Sequence, residues 1–381
     1  MGSTKIFIRH IIPSLAILIV MGCIEPYTPP EIENNPDLLV IDGFLDGTKQ
    51  VCVVKLSRTQ SLGSNVPPAL EIGAIVSLVE KGGNTVLLVD NFNGAYSQSN
   101  LAINAQKEYQ INVKTKDGKE YASEYVVLKD SPPIDSVTWE AIDQGVQIQA
   151  TTHDPTSNSR YYQWKFTETW EYTAAYYSNM KYDNGNVVMR DDDIYTCWKQ
   201  STSTNIIIGS TDKLTQDVIY KYPITLLPLN TDKYLIRYSI LVQQRVLTKE
   251  AYNYWSELQK NTENLGTLFD PQPSQIVGNV YNVQNSSEAV LGYFTASYTS
   301  EKRIFLKYAD LPKGFPYIRI FPGCKLDTVL LADLPGFGAT NKLLTTPITI
   351  GGTIIIGYGN SYPNCVDCRY NGGTTVKPDF W

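Results

Sequence analysis

The sequence predicts a mainly β protein with two tandem immunoglobulin-like/fibronectin-like β-sandwich domains, the second with an inserted α-helix, followed by a Cys-containing irregular C-terminal tail. Three observations predict this fold class. Apolar and polar residues alternate with period two in many short runs, as they do in antiparallel strands. Gly, Pro, Asn and Asp separate these runs at intervals typical of hairpins. Only one segment carries apolar residues at helical spacing, and a hydrophobic content of 43% is ample for packed cores.

Residues 1–22 are predicted to be a lipoprotein signal peptide. Lys5 and Arg9 form a basic start, and the apolar run over 11–21 is shorter than the ~20 residues that span a bilayer. Val20-Met21-Gly22-Cys23 resembles the bacterial lipobox, in which the cysteine is acylated and becomes the first residue of the mature protein. Two acyl chains hold a protein stably on a membrane. The alternative is an ordinary secretory signal followed by a chance cysteine.

Residues 23–37 are predicted to be a flexible tether between the lipid and the folded body. The stretch is rich in Pro, Glu and Asn and has no apolar period. An Asp after the anchor would suggest inner-membrane retention in some bacteria, so Ile24 favours the outer membrane. The acidic residues near the anchor are similar to surface-export signals of Bacteroidota lipoproteins. The expected location is the outer membrane, with the body facing the cell exterior.

Residues 38–130 are predicted to form the N-terminal β-sandwich domain. About seven strands fit into this length, which is the size and rhythm of an immunoglobulin-like sandwich. Gly82-Gly83-Asn84 and Lys116-Asp117-Gly118-Lys119 mark two hairpins. Cys52 lies within a predicted strand, and we interpret it as a buried thiol.

Residues 134–310 are predicted to form the second β-sandwich domain, after a stiff boundary at Ser131-Pro132-Pro133. Thr248 is a suitable N-cap for the one predicted helix, over 248–264. Ala251, Trp255 and Leu258 give this helix an apolar stripe, which we interpret as core packing rather than a ligand platform. The strands are expected at 135–141, 146–152, 160–172, 234–244, 276–282, 290–298 and 301–308.

Residues 311–381 are predicted to be a tail that is rich in Pro, Gly and Tyr and packs on the second domain. The candidates for disulfides are Cys197, Cys324, Cys365 and Cys368, since disulfides persist in an exported chain. Four cysteines permit three pairings. We favour two disulfides that tie Cys197 and Cys324 to the pair at 365 and 368. A redox or metal role for this C-x-x-C pair is the alternative.

Composition and motifs argue against several classes of function. The loss of Lys5 and Arg9 with the signal takes the formal charge from −6 to −8, and no basic run exists, so nucleic acid is not an expected partner. His153 is the single histidine outside the signal, and we interpret it as a loop residue. The common hydrolase, zinc-protease, P-loop and dinucleotide-binding motifs do not occur. We therefore expect a protein that is not an enzyme and binds no cofactor.

Two groups of residues are candidates for binding. Asp183, Asp191 and Asp193 lie in an acidic stretch that is a candidate for Ca²⁺, although its spacing does not match an EF-hand loop. Acidic loops are more often simply solvated. Aromatic faces stack on sugars or peptides, and the tryptophans considered are Trp139, Trp164, Trp170, Trp198 and Trp381. Most of these are expected to lie in the core, so none is named as a ligand contact.

Several short blocks occur in a fixed order along the mature chain. They include LLVIDG at 38–43, PPIDS at 132–136, EAYNYW at 250–255, LFDPQPS at 268–274, CVDCR at 365–369 and KPDFW at 377–381. Together with the lipobox they resemble a family of Bacteroidota lipoproteins, the domain of unknown function 4249. The resemblance implies an outer-membrane lipoprotein encoded near TonB-dependent transporters of the SusC type. No functional residues are established for this family, and Cys52 departs from its pattern.

The expected function is that of an accessory or binding lipoprotein associated with a TonB-dependent, SusC-type nutrient transporter. The expected partners are the outer-membrane lipid through Cys23, the transporter β-barrel, and a glycan or peptide ligand. A structural or adhesive surface lipoprotein without a transport role is the first alternative. A glycan hydrolase that uses carboxylates without histidine is the second.

Overall fold

A computed structural model describes residues 37–60, 67–263, 276–316 and 321–381. The predicted signal peptide, Cys23 and nearly all of the predicted tether lie outside these ranges. The described chain is mainly β, which confirms the predicted fold class. Its helices are all too short or too polar to span a membrane.

The strands are numbered along the described chain. The first nine are β1 (Leu39–Asp46), β2 (Val51–Arg58), β3 (Ile75–Glu80), β4 (Thr85–Leu87), β5 (Val89–Asp90), β6 (Ala95–Gln98), β7 (Glu108–Lys114), β8 (Glu120–Ser123) and β9 (Val126–Val127). The next nine are β10 (Ile134–Ile142), β11 (Gly145–His153), β12 (Tyr161–Thr173), β13 (Met180–Asp183), β14 (Asn186–Met189), β15 (Thr196–Thr202), β16 (Ile207–Ser210), β17 (Val218–Pro228) and β18 (Arg237–Val246). The last six are β19 (Val280–Asn282), β20 (Leu291–Ser297), β21 (Thr299–Leu306), β22 (Asp327–Leu330), β23 (Leu343–Ile350) and β24 (Ile354–Ser361).

The helices are few and mostly short. The α-helices are α1 (Lys249–Glu263) and α2 (Pro363–Val366), and 3-10 helices cover Tyr308–Asp310, Leu331–Ala339 and Cys368–Asn371. The Thr248 hydroxyl accepts a hydrogen bond from the Ala251 amide at 3.2 Å, so Thr248 caps α1 as predicted. The apolar face of α1 packs against Ile208 and Tyr293, which confirms that its stripe is core.

Two sheets enclose the core of the first sandwich. One sheet has the order β20-β1-β2-β6-β5, and the other has the order β19-β8-β7-β3-β4 with β9 beside β7. Alternate residues of β1, such as Ile41 and Leu45, point inward and share a core with Ile111 and Phe294. The other residues of β1 form the outer face of this sheet, which faces the second sandwich. Cys52 is fully buried in the core, as a free thiol.

The second sandwich also has two sheets around one core. One has the order β10-β11-β17, and the other has the order β15-β12-β18-β21 with β16 beside β12. The 13-residue strand β12 alternates in register with β18, so that Tyr162, Trp164 and Tyr238 point into the core. Gln163 and Lys165 lie on the opposite face of β12. The sequence pattern predicted β12 and β18 but not β17, which completes the smaller sheet.

The predicted boundary between the sandwiches needs a correction. The segments at 276–282 and 290–298 were predicted to belong to the second sandwich, within 134–310. In the structure β19 pairs with β8, and β20 pairs with β1 in parallel register, so both strands belong to the first sandwich. The alternation of a strand shows which residues face a core but not which distant strand it joins.

Two glycines permit the pairing of β20 with β1. Gly292 has φ +130°, and a Cβ built on it would lie 1.9 Å from the Ile41 carbonyl oxygen. A Cβ on Gly278 would lie 1.7 Å from the Gly292 carbonyl oxygen. The backbones can approach this closely only because neither residue has a side chain.

The C-terminal region 311–381 is more regular than the predicted tail. Strands β22, β24 and β23 form a three-stranded sheet. Phe337, Leu344 and Tyr358 form a small core under this sheet, and Tyr182 of the β13–β14 hairpin packs against it. The polar stretch before β15 is therefore a hairpin that supports the C-terminal sheet, which the sequence did not predict.

Replacement of Gly292 with Ala tests the close approach of β20 and β1. We expect Gly292→Ala to lower the free energy of unfolding by at least about 2 kcal/mol, because a Cβ meets the Ile41 carbonyl at an unfavourable φ. Gly82→Ala is the matched control, since Gly82 also has positive φ (69°) but nothing lies within 4 Å of its Cβ position, and about 1 kcal/mol is expected. Urea unfolding measures both, and equal losses would contradict the prediction.

Candidate functional site

The outer faces of two sheets meet between the sandwiches. On the first sandwich, Asp42 and Phe44 of β1 lie opposite Lys55 and Val53 of β2. On the second, Lys165 of β12 lies opposite Gln243 of β18. These residues point away from their own cores because they alternate with buried residues along each strand.

A cavity of about 230 Å³ lies between these faces. It is far larger than the ~10–15 Å³ that one water needs, so a small organic molecule fits. Its charged lining residues are Asp42, Asp46, Lys55, Lys165 and Arg245, and its apolar ones are Phe44, Val51 and Val53. We call this cavity the interdomain cleft.

Arg245 is the most deeply buried cation of the interdomain cleft, with 6% of its surface exposed. Its guanidinium lies 4.3 Å from the centre of the Phe44 ring, which spans the space between the sandwiches. Its Nε donates to Gln163 Oε1 at 2.6 Å, and its other N–H groups have no hydrogen-bond partner among the described residues. Burial lowers the pKa of Arg245 to about 10, so the side chain stays protonated at neutral pH.

Lys165 lines the same cavity as Arg245 and is half-buried. The positive charge of Arg245 and burial lower the pKa of Lys165 to about 8, while Asp42 acts in the opposite direction. In the parts of the chain that the structure describes, no carboxylate lies within ion-pair distance of its ammonium group. A cation that is partly removed from water without an ion-pair partner lowers the free energy of unfolding. The presence of Lys165 at this position therefore favours a role in binding.

The two acidic residues of the interdomain cleft differ in their contacts. Asp46 accepts hydrogen bonds from the Thr48 and Lys49 amides at 2.9 and 3.1 Å and from the Thr299 hydroxyl at 2.9 Å. It therefore fastens the β1–β2 turn to the start of β21. The Asp42 carboxylate makes no hydrogen bond or ion pair within the described ranges, so it is free to accept from a ligand.

An ion pair lies next to Gln243, which lines the interdomain cleft. Lys49 Nζ lies 2.5 Å from Glu301 Oε1, and the same oxygen accepts from Gln243 Nε2 at 2.6 Å. Lys49 belongs to the first sandwich and Glu301 to the second. These contacts join the two sandwiches. The arrangement can hold a negatively charged group between Lys165 and Arg245 and an apolar group against Phe44.

The three predicted calcium ligands do not lie together in one site. Asp191 forms an exposed ion pair with Lys181 at 2.6 Å, and Asp193 accepts from the Tyr195 amide at 2.8 Å. Asp183 lies at the end of β13, in the hairpin turn. Among the residues that the structure describes, no three Asp, Glu, His or Cys side chains form a group that could hold a metal ion.

The five candidate tryptophans lie mainly in packing positions. Trp164 is fully buried, and its Nε1 donates to Gln244 Oε1 at 3.0 Å. Trp139 is partly buried against the same core, and Trp198 pairs through its backbone with Thr374. Trp381 donates to Glu171 at 3.0 Å and lies over Arg237.

Trp170 lines a second cavity. This second cavity, of about 270 Å³, lies beside Tyr172, Lys199 and Asp232. Only 8% of Trp170 is exposed, and the ammonium of Lys233 lies 4.8 Å from its ring centre. Little of the ring is free to stack on a sugar, so we favour the interdomain cleft as the candidate site.

Disulfides are present, as predicted. Cys197 of β15 is bonded to Cys368, and Cys324 is bonded to Cys365 of α2. The C-x-x-C pair thus serves two different bridges. Cys197–Cys368 fastens the C-terminal region to the second sandwich, and Cys324–Cys365 lies within the C-terminal region. Burial raises the pKa of the free Cys52 thiol to about 12, so it is not poised for reaction.

His153 lies at the exposed end of β11. Its Nδ1 is 2.8 Å from Asp135 Oδ2, and this hydrogen bond raises the pKa of the imidazole. No serine or cysteine hydrogen-bonds to the ring within the described ranges. The contact therefore joins β10 to β11 at their ends.

Sequence reasoning missed the residues of the interdomain cleft. In the run RYYQWKFTETWEY, Lys165 occupies an alternate polar position that is indistinguishable from an ordinary solvent-exposed one. Arg245 follows two glutamines and lies just beyond the strand predicted over 234–244, so nothing in the local sequence marked it as a site residue. The sequence did offer one signal. Strands β12 and β18 are long, and the face that points away from their own core carries few charges.

A family model described as "Domain of unknown function (DUF4249)" matches residues 24–303. The match includes the first sandwich, the second sandwich as far as the middle of β21, and the whole lining of the interdomain cleft, whereas the blocks at 365–369 and 377–381 lie beyond it. No curated protein is similar enough to match.

The pH dependence of stability tests the environment of Lys165. Its pKa is about 8 in the folded state and 10.5 ordinarily, so the unfolded chain binds more protons between these values. The free energy of unfolding of the wild-type protein, compared with that of Lys165→Met, should therefore rise as the pH increases from 8 to 10.5. At pH 7 the variant should be more stable by about 3 kcal/mol. Thermal unfolding of both proteins against pH measures this, with the exposed Lys313→Met as control; a pH-independent difference would contradict it.

The thiol count tests the disulfides and Cys52 together. We use the full mature chain with Cys23→Ser, so that the predicted lipid site adds no thiol. Without reductant, the folded protein should not react with a maleimide, and the unfolded protein should react once, at Cys52, because the other four cysteines are bonded. Mass spectrometry counts the labels, and Cys52→Ala should give none. Rapid labelling of the folded protein would contradict the burial of Cys52.

Proposed function

We propose that this chain, which belongs to the DUF4249 family, is a lipid-anchored binding lipoprotein of the outer membrane rather than an enzyme. In this proposal Cys23 carries the lipid, and residues 23–37 separate the membrane from the two sandwiches. The body faces the cell exterior and supplies a ligand to a TonB-dependent transporter of the SusC type. The family match supports the resemblance on which the expected location and transporter partner are based. The lipobox supports the anchor.

The observation that carries the proposal is the interdomain cleft. A spacer or adhesive stalk has no need of a cavity in which a half-buried Lys165, without an ion-pair partner among the described residues, lies in the same lining as a buried Arg245. Burial of such charges opposes folding unless a ligand or a partner compensates for it. The cleft therefore favours a binding protein over a purely structural one.

The two disulfides agree with an exported protein. Structural disulfides are rare in the cytosol and common outside it. Both bridges lie in the second sandwich and the C-terminal region, on the part of the chain farthest in sequence from Cys23. Their presence supports the proposed location without identifying the membrane.

Replacement of Cys23 tests the anchor. We expect Cys23→Ser to move the protein from the membrane fraction to the soluble fraction, because the acylated thiol is lost while the folded body is unchanged. Fractionation with mass spectrometry of the N-terminal peptide measures the shift. Cys52→Ser is the matched control and should stay in the membrane fraction. A Cys23→Ser protein that remains in membranes with unchanged mobility would show the anchor proposal to be wrong.

Association with a transporter is tested by purification under mild detergent. We expect the wild-type lipoprotein to co-purify with a TonB-dependent β-barrel, and a deletion strain to show a nutrient-specific growth defect. A second strain that carries only Cys23→Ser should show the same defect if the anchor is needed. Normal growth with altered cell aggregation would instead favour the adhesive alternative.

A further inference from the structure

We propose that the interdomain cleft binds a small organic carboxylate that has an apolar body. This inference deepens the proposed function and rests on it, since it names the class of ligand that the binding protein takes. The carboxylate would lie between Lys165 and Arg245, and the apolar body would lie against Phe44, Val51 and Val53.

The cationic side of the cleft offers donors that the protein itself does not use. Lys165 has no ion-pair partner in the described parts of the chain, and Arg245 gives only its Nε to Gln163. The guanidinium and the ammonium group line the same cavity, and the positive charge of Arg245 lowers the pKa of Lys165. A planar carboxylate accepts hydrogen bonds from both groups at once.

The charge balance favours a monoanion. The lining contains three cations, Lys55, Lys165 and Arg245, and two acids, Asp42 and Asp46. One carboxylate would neutralise this set. A phosphate dianion would leave an excess of negative charge in a space that already holds Asp42. A neutral sugar would leave Lys165 unpaired.

The opposite wall favours an apolar body. Phe44, Val51 and Val53 lie on the outer face of the first sandwich, where solvent-exposed polar residues would otherwise be expected. Phe44 is held in place by the Arg245 guanidinium on its ring. Apolar walls with a few well-placed polar groups are typical of sites for small molecules. A short fatty acid, an aryl-alkanoate or an N-acyl amino acid meets both requirements.

Calorimetric titration of the full mature chain carrying Cys23→Ser tests the proposal. The probes are hexanoate, 3-phenylpropionate and N-acetyl-leucine, each paired with its primary amide, together with inorganic phosphate. We expect one-to-one binding of at least one carboxylate, with its amide at least ten-fold weaker. Lys165→Met should weaken that binding at least ten-fold, Lys165→Arg should restore most of it, and Lys313→Met should leave it unchanged.

A second measurement reports on direct contact. In protein with ¹³C-methylated lysines, the Lys165 signal is assigned by its loss in Lys165→Met. We expect the bound carboxylate to raise the pKa of Lys165, because an added negative charge favours the ammonium form. The neutral amide should leave this pKa unchanged.

Three results would overturn the proposal: no probe binds at millimolar concentration, carboxylates and amides bind equally, or Lys165→Met leaves carboxylate binding unchanged. Preferential binding of phosphate would also overturn it, in favour of an oxyanion site of another class. The fractionation and co-purification experiments use other residues and other readouts. Failure of the carboxylate probes with an intact anchor would therefore overturn only the ligand class. Carboxylate binding by a protein that never reaches the membrane would overturn the proposed function instead.

Discussion

The pairing of β20 with β1 is the constraint on which the rest of the structure depends. Residues 291–297 return from the second half of the chain and lie parallel to the strand that begins the first sandwich. Strand β21 follows after a single residue, Tyr298, and enters the second sandwich. The two sheets that face each other across the interdomain cleft are thus joined by one nearly continuous strand. Gly278 and Gly292 permit the close backbone approach, and the Asp46–Thr299 hydrogen bond fixes the exit.

This junction explains how a binding site exists between two domains that each have a complete core. The outer faces of β1 and β12 are held at a fixed separation, and side chains from both fill only part of the space. Arg245 reaches across to Phe44, and Lys49 reaches across to Glu301. Lys165 has no such partner in the described chain. The contacts between the sandwiches therefore leave the Lys165 ammonium group available to a ligand.

Local pattern predicted the class of the fold and many of its elements. The alternation of apolar and polar residues predicted β1, β2, β12 and β18. Thr248 as an N-cap predicted the start of α1, and the spacing of turn residues predicted two hairpins. Pairing between distant strands was not predictable in this way, because β20 has the same alternation whether it joins β1 or a strand of the second sandwich. The cleft depends on that pairing. Lys165 and Arg245 are consequently ordinary polar positions in the sequence and become a site only when two sheets meet.

Strand β20 is synthesised late, and this affects how the chain folds. A polypeptide leaves the ribosome from its N-terminus, so β1 is synthesised long before its parallel neighbour at residues 291–297. Until then the first sandwich lacks both β19 and β20, and the edge of β1 is open to pairing with other chains. Nascent N-terminal fragments should therefore need a holding chaperone, and truncations that end after residue 130 should aggregate rather than form a minimal domain.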